Sequence, residues 1–448
     1  MFKKYSSFEE LVGDFSSRDS IAIRYAGDND VIREISYQQL AEMIMSEVRH
    51  VKAVCSSVEI IHDEQTPETI VSIFAHAIAG CDVIIANPLL PEEFTESALM
   101  AAEAAKEERE SMRDSLGRVV GKKGEGELLF FTSGTTSRSK IVRLSSETFC
   151  TSAWSGQSML ACGEGDVILS IIPLSHVFGF VCSMLWGLAY GATIALGRGR
   201  DHPGDDAVLF KPTILPAVPS QIEAMLQSDG INPELQTVLI GAAPGSHKNA
   251  QLLREKGIKV YYGYGLTETS SGVAITQDLD EPEALYPCPG ADIRIEEDGE
   301  VVVGTPCMML GYIGDIPMFD EDRLFTGDIG WIDEKGRLHL KGRKKDVLIL
   351  TDGTKIFCPE YEEELLEKTG LPDLAVTLKD DHAILIAGSC TNDPHINADL
   401  RNRLLKAVAE YNKNHLPSQQ IYDVIVTAEK LPRTATGKLR RYELEGRY

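Results

Sequence analysis

The sequence predicts an α/β chain. Parallel and mixed sheets with flanking helices fill most of its length, a β-rich part follows, and a smaller α+β segment ends it. Three observations predict this. Strand-type and helix-type patterns alternate between Val58 and Tyr261. Short alternating runs broken by Gly-containing turns begin near Ile293. A strand–helix mix returns at Val347, just after the basic run Gly342-Arg343-Lys344-Lys345. The 448 residues leave room for roughly two to four domains, and 43% hydrophobic with 25% charged residues is ordinary for a globular protein.

Each element has a local reason. Ser7-x-x-Glu10 and Ser36-x-x-Gln39 read as capping boxes, and Leu40, Ile44 and Val48 then repeat at helical spacing. Val58–His62 reads as a strand. Thr66 as N-cap, Pro67 at the first helical position and Gly80 as a stop define the next helix, and Asp82–Ala86 is a second strand. Such a βαβ unit implies a parallel sheet. The pattern recurs at Val208–Leu215, Gln221–Leu226, Val238–Ile240 and Lys259–Tyr261. The runs Ile293–Glu296, Val301–Val303, Trp331–Asp333 and Leu338–Lys341 read as hairpin strands. From Val167 to Leu196 no Asp, Glu, Lys or Arg occurs, but Pro173, Ser175, His176 and Gly179 interrupt the run. A membrane span needs about 20 apolar residues, so this stretch reads as a buried strand, a loop and a buried helix, with no integral membrane segment.

The net charge of −24 argues against a nucleic-acid partner, which wants a basic face. From Arg343 onward there are 16 basic and 17 acidic residues, so almost all the negative charge precedes it. An anionic ligand therefore needs local basic groups. Nine scattered cysteines without a CxxC pattern suggest free thiols in a reducing, cytoplasmic setting. The N-terminus lacks an apolar signal core.

Five motifs could carry chemistry. Thr132-Ser133-Gly134-Thr135-Thr136 runs on to Lys140 after the apolar strand Leu128–Phe131. Small residues let backbone N–H groups and hydroxyls surround phosphate oxygens, and Lys140 adds charge. No Gly precedes the Lys, so it is not a Walker A loop. The same residues also suit a polar surface turn. In Tyr262-Gly263-Tyr264-Gly265-Leu266-Thr267-Glu268 the glycines permit a close approach, Tyr264 offers a flat face for a purine, and Glu268 could hold Mg²⁺. A turn with a core tyrosine would look similar. In Phe325-Thr326-Gly327-Asp328 the carboxylate could accept ribose hydroxyls or bond its own turn. The basic run at Gly342–Asp346, and the tail Leu431-Pro432-Arg433-Thr434-Ala435-Thr436-Gly437-Lys438, fit either solvated surface or cations brought to a site.

The order and spacing of all five on one chain resemble the adenylate-forming superfamily: acyl- and aryl-CoA synthetases, peptide-synthetase adenylation domains and beetle luciferases. The resemblance runs from about Ser36 to Lys438. It implies an N-terminal ATP- and acyl-binding domain at 1–342, a small mobile C-terminal lid at 346–448, and a hinge at 343–346 with Lys345 at its centre. By the same resemblance, Thr132, Ser133, Gly134, Thr135, Thr136 and Lys140 grip the ATP phosphates. Gly241, Ala242 and Ala243 line the adenine, on which Tyr264 stacks beside Gly265. Thr267 contacts the α-phosphate, Glu268 carries Mg²⁺, Asp328 and Arg343 hold the ribose, and Lys438 reaches the reacting carboxylate. His176, in Pro173-Leu174-Ser175-His176-Val177-Phe178-Gly179, borders the acyl pocket. The implied reaction joins a carboxylic acid to CoA at the expense of ATP, through an acyl-adenylate, with fatty-acid metabolism as a setting. Two rivals are an adenylating enzyme that loads an acyl carrier protein and, more remotely, a nucleotide-binding protein without catalysis.

Overall fold

The computed structural model describes residues 2–54, 57–116, 124–132, 140–199, 202–228, 230–242, 247–314, 323–351, 355–371, 373–433, 439–444 and 447. Two large sheets dominate. The first runs, from edge to edge, through Asp292–Ile295, Glu300–Gly304, Leu324–Ile332, Leu338–Arg343, Leu285–Pro287, Ser271–Thr276, Lys259–Leu266, Thr237–Ile240, Ile214–Ala217, Val167–Ser170, Thr193–Leu196, Ile21–Ala26 and Ile32–Ser36. Its character changes within one strand. Residues 259–262 of Lys259–Leu266 pair parallel with Thr237–Ile240, whereas residues 263–266 pair antiparallel with Ser271–Thr276. The predicted parallel sheet and the predicted hairpin region are thus one continuous surface, joined at Tyr262-Gly263.

The second sheet has five strands in the order Gly311–Tyr312, Ile141–Leu144, Leu128–Phe131, Asp82–Ala86, Val58–His62. Its last three are parallel and its first three antiparallel. The expected βαβ unit is there: Thr66 Oγ1 accepts from Thr69 N, Pro67 opens the helix Pro67–Ala79, and Gly80 ends it at φ +94°, a left-handed position that glycine takes without strain. Near the C-terminus, Val347–Ile349 pairs with Lys355–Phe357, and Leu374–Lys379, His382–Gly388 and Ile421–Thr427 form a three-stranded sheet.

The main core joins the two large sheets. Phe130, fully buried on the strand Leu128–Phe131, meets Phe180 edge-on at 5.6 Å and Phe149 at 5.6 Å. Burying a ring of this size is worth about 1.5–3 kcal/mol, so this packing anchors the strand that leads to Thr132.

Three local readings change. The 208–215 run is no single strand: Val208 lies in the helix Pro203–Phe210, and the strand is Ile214–Ala217. Lys211 at φ 48° ends that helix, and an apolar run cannot reveal such a break. The buried helix after the Pro173 loop opens as a π-helix, Gly179–Leu185, before Trp186–Tyr190. Free thiols hold for seven described cysteines, but Cys81 is disulfide-bonded, with its partner outside the described residues. Among the described residues no helix is long and apolar enough to cross a membrane.

Candidate active site

The parallel-to-antiparallel switch lies at the carboxyl end of the strand Thr237–Ile240, and open α/β sheets place ligands at the carboxyl ends of their parallel strands. Gly241 and Ala242 follow directly on Thr237–Ile240, and Tyr264 sits just past the switch. Ala242 adopts φ 66°, a conformation that costs a non-glycine residue of order 1 kcal/mol and clusters at functional sites. A Cβ on Gly241 would lie 2.8 Å from Phe178 Cζ, so this glycine admits the ring that follows the His176 turn.

Tyr264, Asp328 and Arg343 come together. The Tyr264 hydroxyl donates to Asp328 Oδ2 at 2.7 Å, and Arg343 Nε lies 2.8 Å from Asp328 Oδ1. Asp328 is 6% exposed, so the guanidinium and the phenol offset the cost of burying its charge. Burial, with Asp328 alongside, pushes the Tyr264 phenol well above its usual range, so it remains a neutral donor. The turn carrying Asp328 is pinned: Thr326 Oγ1 donates to Val301 O and accepts from Asp328 N, and Gly327 N donates to Glu300 Oε1 at 2.9 Å. Glu300 Oε2 in turn accepts from Lys344 Nζ at 2.8 Å.

Glu268 lies in the short 3₁₀ turn Thr267–Thr269. That turn is locked by Thr269 Oγ1, which accepts from Leu266 N and donates toward Ser271 O, and by Ser270 Oγ, which donates to Cys307 O. The Glu268 carboxylate accepts from the Tyr312 hydroxyl at 2.9 Å, and Lys140 Nζ lies 4.2 Å above the Tyr312 ring. Lys140 also closes the neck of its loop: Thr132 N donates to Lys140 O at 2.9 Å, and Lys140 N donates to Thr132 Oγ1 at 3.1 Å.

His176 is half-buried in a tight turn, its N–H donating to Pro173 O and its C=O accepting from Phe180 N. The turn is held from below by Asp63, 4% exposed, whose Oδ2 accepts from Ser175 N at 2.8 Å. Burial raises the pKa of Asp63 despite that bond. Phe178, Tyr261 and Met159 pack against the buried cluster of Leu239, Ile275 and Cys288, and Phe178 lies beside Gly241.

Lys345 follows Arg343 in the 3₁₀ turn Lys344–Asp346. Arg441 ties the C-terminal segment to that turn, with Nε 2.8 Å from Asp346 Oδ1 and Nη2 2.6 Å from Glu362 Oε2. Arg433 and Leu439 pair across the segment containing Lys438. Ser133, Gly134, Thr135, Thr136, Ala243 and Lys438 lie outside the described residues.

Gly265 differs from expectation in its reason. A Cβ there would lie 1.5 Å from Ser271 O, so the close approach it permits is to its own neighbouring strand, at a bulge. Tyr312, Glu300 and Asp63 belong to none of the five motifs. Only a Gly311-Tyr312 pair bounded by apolar residues hinted at the first.

Known proteins match this chain in sequence and in fold. The family model for AMP-binding enzymes matches residues 106–313. The 2-succinylbenzoate–CoA ligase of Listeria monocytogenes (serotype 4b) is 29% identical over 338 residues, covering 71% of this chain and 70% of that protein. Its Bacillus subtilis counterpart is 28% identical over 339 residues, covering 71% and 68%. The B. subtilis o-succinylbenzoate CoA synthetase, solved with its acyl-adenylate intermediate, superimposes with a TM-score of 0.78 at 22% identity over 100% of this chain and 99% of its own. The anthranilate CoA ligase AuaEII, solved with anthranoyl-AMP, gives 0.78 at 18% identity, covering 99% and 97%.

Proposed function

We propose that this chain, which belongs to the AMP-binding enzymes of the adenylate-forming superfamily, is an AMP-forming carboxylate–CoA ligase that takes ATP, Mg²⁺, a carboxylic acid and CoA. One observation carries the reading. The strand Lys259–Leu266 and the turn after it place the Tyr264–Asp328–Arg343 cluster and the Glu268–Tyr312–Lys140 cluster within five residues of each other along the chain. A buried acid with oriented oxygens at one end, and a carboxylate with a cation nearby at the other, match the two ends of a nucleoside triphosphate.

The chemistry requires two anions to meet. A carboxylate oxygen attacks the α-phosphorus of ATP in line, and pyrophosphate leaves. The CoA thiol then attacks the acyl carbon, and AMP leaves. Positioning and charge neutralisation supply most of the acceleration in such transfers. Asp328, oriented by Tyr264 and Arg343, would accept from the ribose hydroxyls. Lys140 and the loop it closes, with Ser133, Gly134, Thr135 and Thr136, would hold the outer phosphates. Thr267 would meet the α-phosphate, and Gly241, Ala242 and Ala243 would border the adenine.

The donor set around Glu268 suits Mg²⁺. No group of three or more His, Cys, Asp or Glu gathers among the described residues, and Mg²⁺ is commonly held by one or two carboxylates with phosphate oxygens and water. Glu268 would hold that ion, which when bound supplies positive charge to the triphosphate. Lys438 would neutralise the attacking carboxylate, and a turn of residues 346–448 about Lys345 would withdraw it for thioester formation. His176 would border the acid.

For the acid, the curated relatives shift the first choice from a fatty acid to an aromatic one of the 2-succinylbenzoate type. The apolar patch of Phe178, Leu239, Ile275 and Tyr261 supports an acid with an aromatic body. The test is pyrophosphate release over a panel of acids, with CoA, with a phosphopantetheinylated carrier protein, or with neither. Acid-dependent release with thioester formed on CoA is expected. A thioester formed only on the carrier would replace the reading with the carrier-loading one, and no acid-dependent release would refute both.

A further inference from the structure

We propose that Tyr312 is a positioning residue for acyl-adenylate formation: its hydroxyl fixes the Glu268 carboxylate while its ring stations the Lys140 ammonium beside it. The inference rests on the reading of Glu268 as the magnesium ligand and Lys140 as a phosphate-binding cation.

Glu268 and Lys140 belong to different sheets. Glu268 lies in the turn that follows the switch strand of the large sheet, and Lys140 immediately precedes the strand Ile141–Leu144 of the five-stranded one. The Tyr312 side chain touches both, by a 2.9 Å hydrogen bond and a 4.2 Å cation–π contact. Its backbone is held from the same two sides. Met309 N donates to Glu268 O at 2.8 Å, Leu310 N donates to Arg143 O at 2.8 Å, and Ile313 N donates to Ile141 O at 2.9 Å. Tyr312 itself pairs with Val142 in register. Arg143 is anchored in turn by a two-pronged contact with Glu127 at 2.8 and 2.9 Å. The separation between a metal-holding acid and a phosphate-holding base is thereby set through one side chain on a braced strand.

A phenol suits that place. It donates one hydrogen bond to a single carboxylate oxygen, so lone pairs on the carboxylate remain for an ion. Its ring face attracts an ammonium without carrying a negative charge that would repel a triphosphate. Were Lys140 and Glu268 in direct contact, each would neutralise the group the other should attract. Tyr312 keeps the acid and the base close but unpaired with each other.

The test compares wild type, Tyr312→Phe, Tyr312→Leu and, as a control, Glu268→Gln, all full-length. Binding of Mn²⁺ to the enzyme–ATP complex is read by electron paramagnetic resonance with no acid present. ATP binding in EDTA is read by calorimetry, and pyrophosphate release is followed across Mg²⁺ concentrations. Tyr312→Phe should weaken Mn²⁺ uptake and raise the Mg²⁺ midpoint by roughly tenfold, the scale of one hydrogen bond to a charged group. Its kcat at saturating Mg²⁺ and its metal-free ATP binding should stay within about twofold, because the ring still holds Lys140. Tyr312→Leu should in addition weaken metal-free ATP binding by about threefold or more. Unchanged Mn²⁺ uptake in Tyr312→Phe, or a fall in kcat that saturating Mg²⁺ does not restore, overturns the inference and leaves the proposed function standing. If Glu268→Gln also takes up Mn²⁺ like wild type, the assignment of Glu268 fails and the inference with it.

Discussion

Arg343 and Asp328 are register partners on neighbouring antiparallel strands, and their side chains meet at 2.8 Å. The Tyr264 hydroxyl takes the other carboxylate oxygen at 2.7 Å. Both oxygens of Asp328 are thus oriented by the fold itself, and under the proposed function the acid would meet two ribose hydroxyls with little reorganisation.

Tyr264→Phe should therefore weaken ATP binding while sparing the chemical step. Losing a buried bond to a charged group costs about 1.5–3 kcal/mol, so KM for ATP should rise at least tenfold, with kcat within about threefold. Steady-state kinetics with varied ATP check this. A fall in kcat at unchanged KM would place Tyr264 in the chemistry instead.

Gly265→Ala should disrupt the fold at the site. Its new methyl would lie 1.5 Å from Ser271 O, backbone that cannot step aside without parting two strands. A loss of at least about 3 kcal/mol is expected. Gly263→Ala is the control: its methyl would meet Leu239 Cδ1 at 3.4 Å, an ordinary contact, so the change should stay within about 1 kcal/mol. Denaturant unfolding of both variants decides it, and equal stability would refute the bulge argument.

Asp63 gives a pH prediction. Burial raises its pKa in the folded state. A carboxylate with a raised folded pKa binds its proton more tightly when folded, so its contribution to stability is greatest in acid. That contribution is lost as pH rises from the unfolded value near about 4 through the folded one. Asp63→Asn keeps an acceptor for Ser175 N–H but cannot ionise, so the fall in stability with rising pH should flatten in that window. Melting temperatures recorded across it provide the check. An unchanged profile would mean that Asp63 is not the group responsible.

Lys438→Ala should reduce acyl-adenylate formation by at least about a hundredfold, the scale seen when a charge-stabilising donor is removed. ATP binding should change by less than about threefold, since other groups hold the nucleotide. Single-turnover pyrophosphate release and calorimetry separate the two effects. Wild-type-like release would remove Lys438 from the proposed site.

Local signals in the sequence were strong where one element states its own limits. Thr66, Pro67 and Gly80 bound a helix, and Val58–His62 and Asp82–Ala86 occur as read. Long-range geometry was not legible. Nothing near Gly265 in the sequence says that Ser271 O fills the space a side chain would need. Tyr312 belongs to no quoted motif, and its partners Glu268 and Lys140 come from distant segments that only the folded chain gathers. The π-helical turns at Gly179–Leu185 share the apolar pattern of an α-helix, so hydrophobicity alone could not separate them.

In the proposed reaction a carboxylate oxygen becomes bonded to the α-phosphorus of ATP and stays there when the thiol arrives. Its most direct test uses a substrate acid labelled with oxygen-18 in its carboxyl group, incubated with ATP, Mg²⁺ and CoA, and mass spectrometry of the nucleotide product. AMP carrying one labelled oxygen, in step with the thioester formed, is expected. Unlabelled AMP, or ADP with the label in inorganic phosphate, would contradict it.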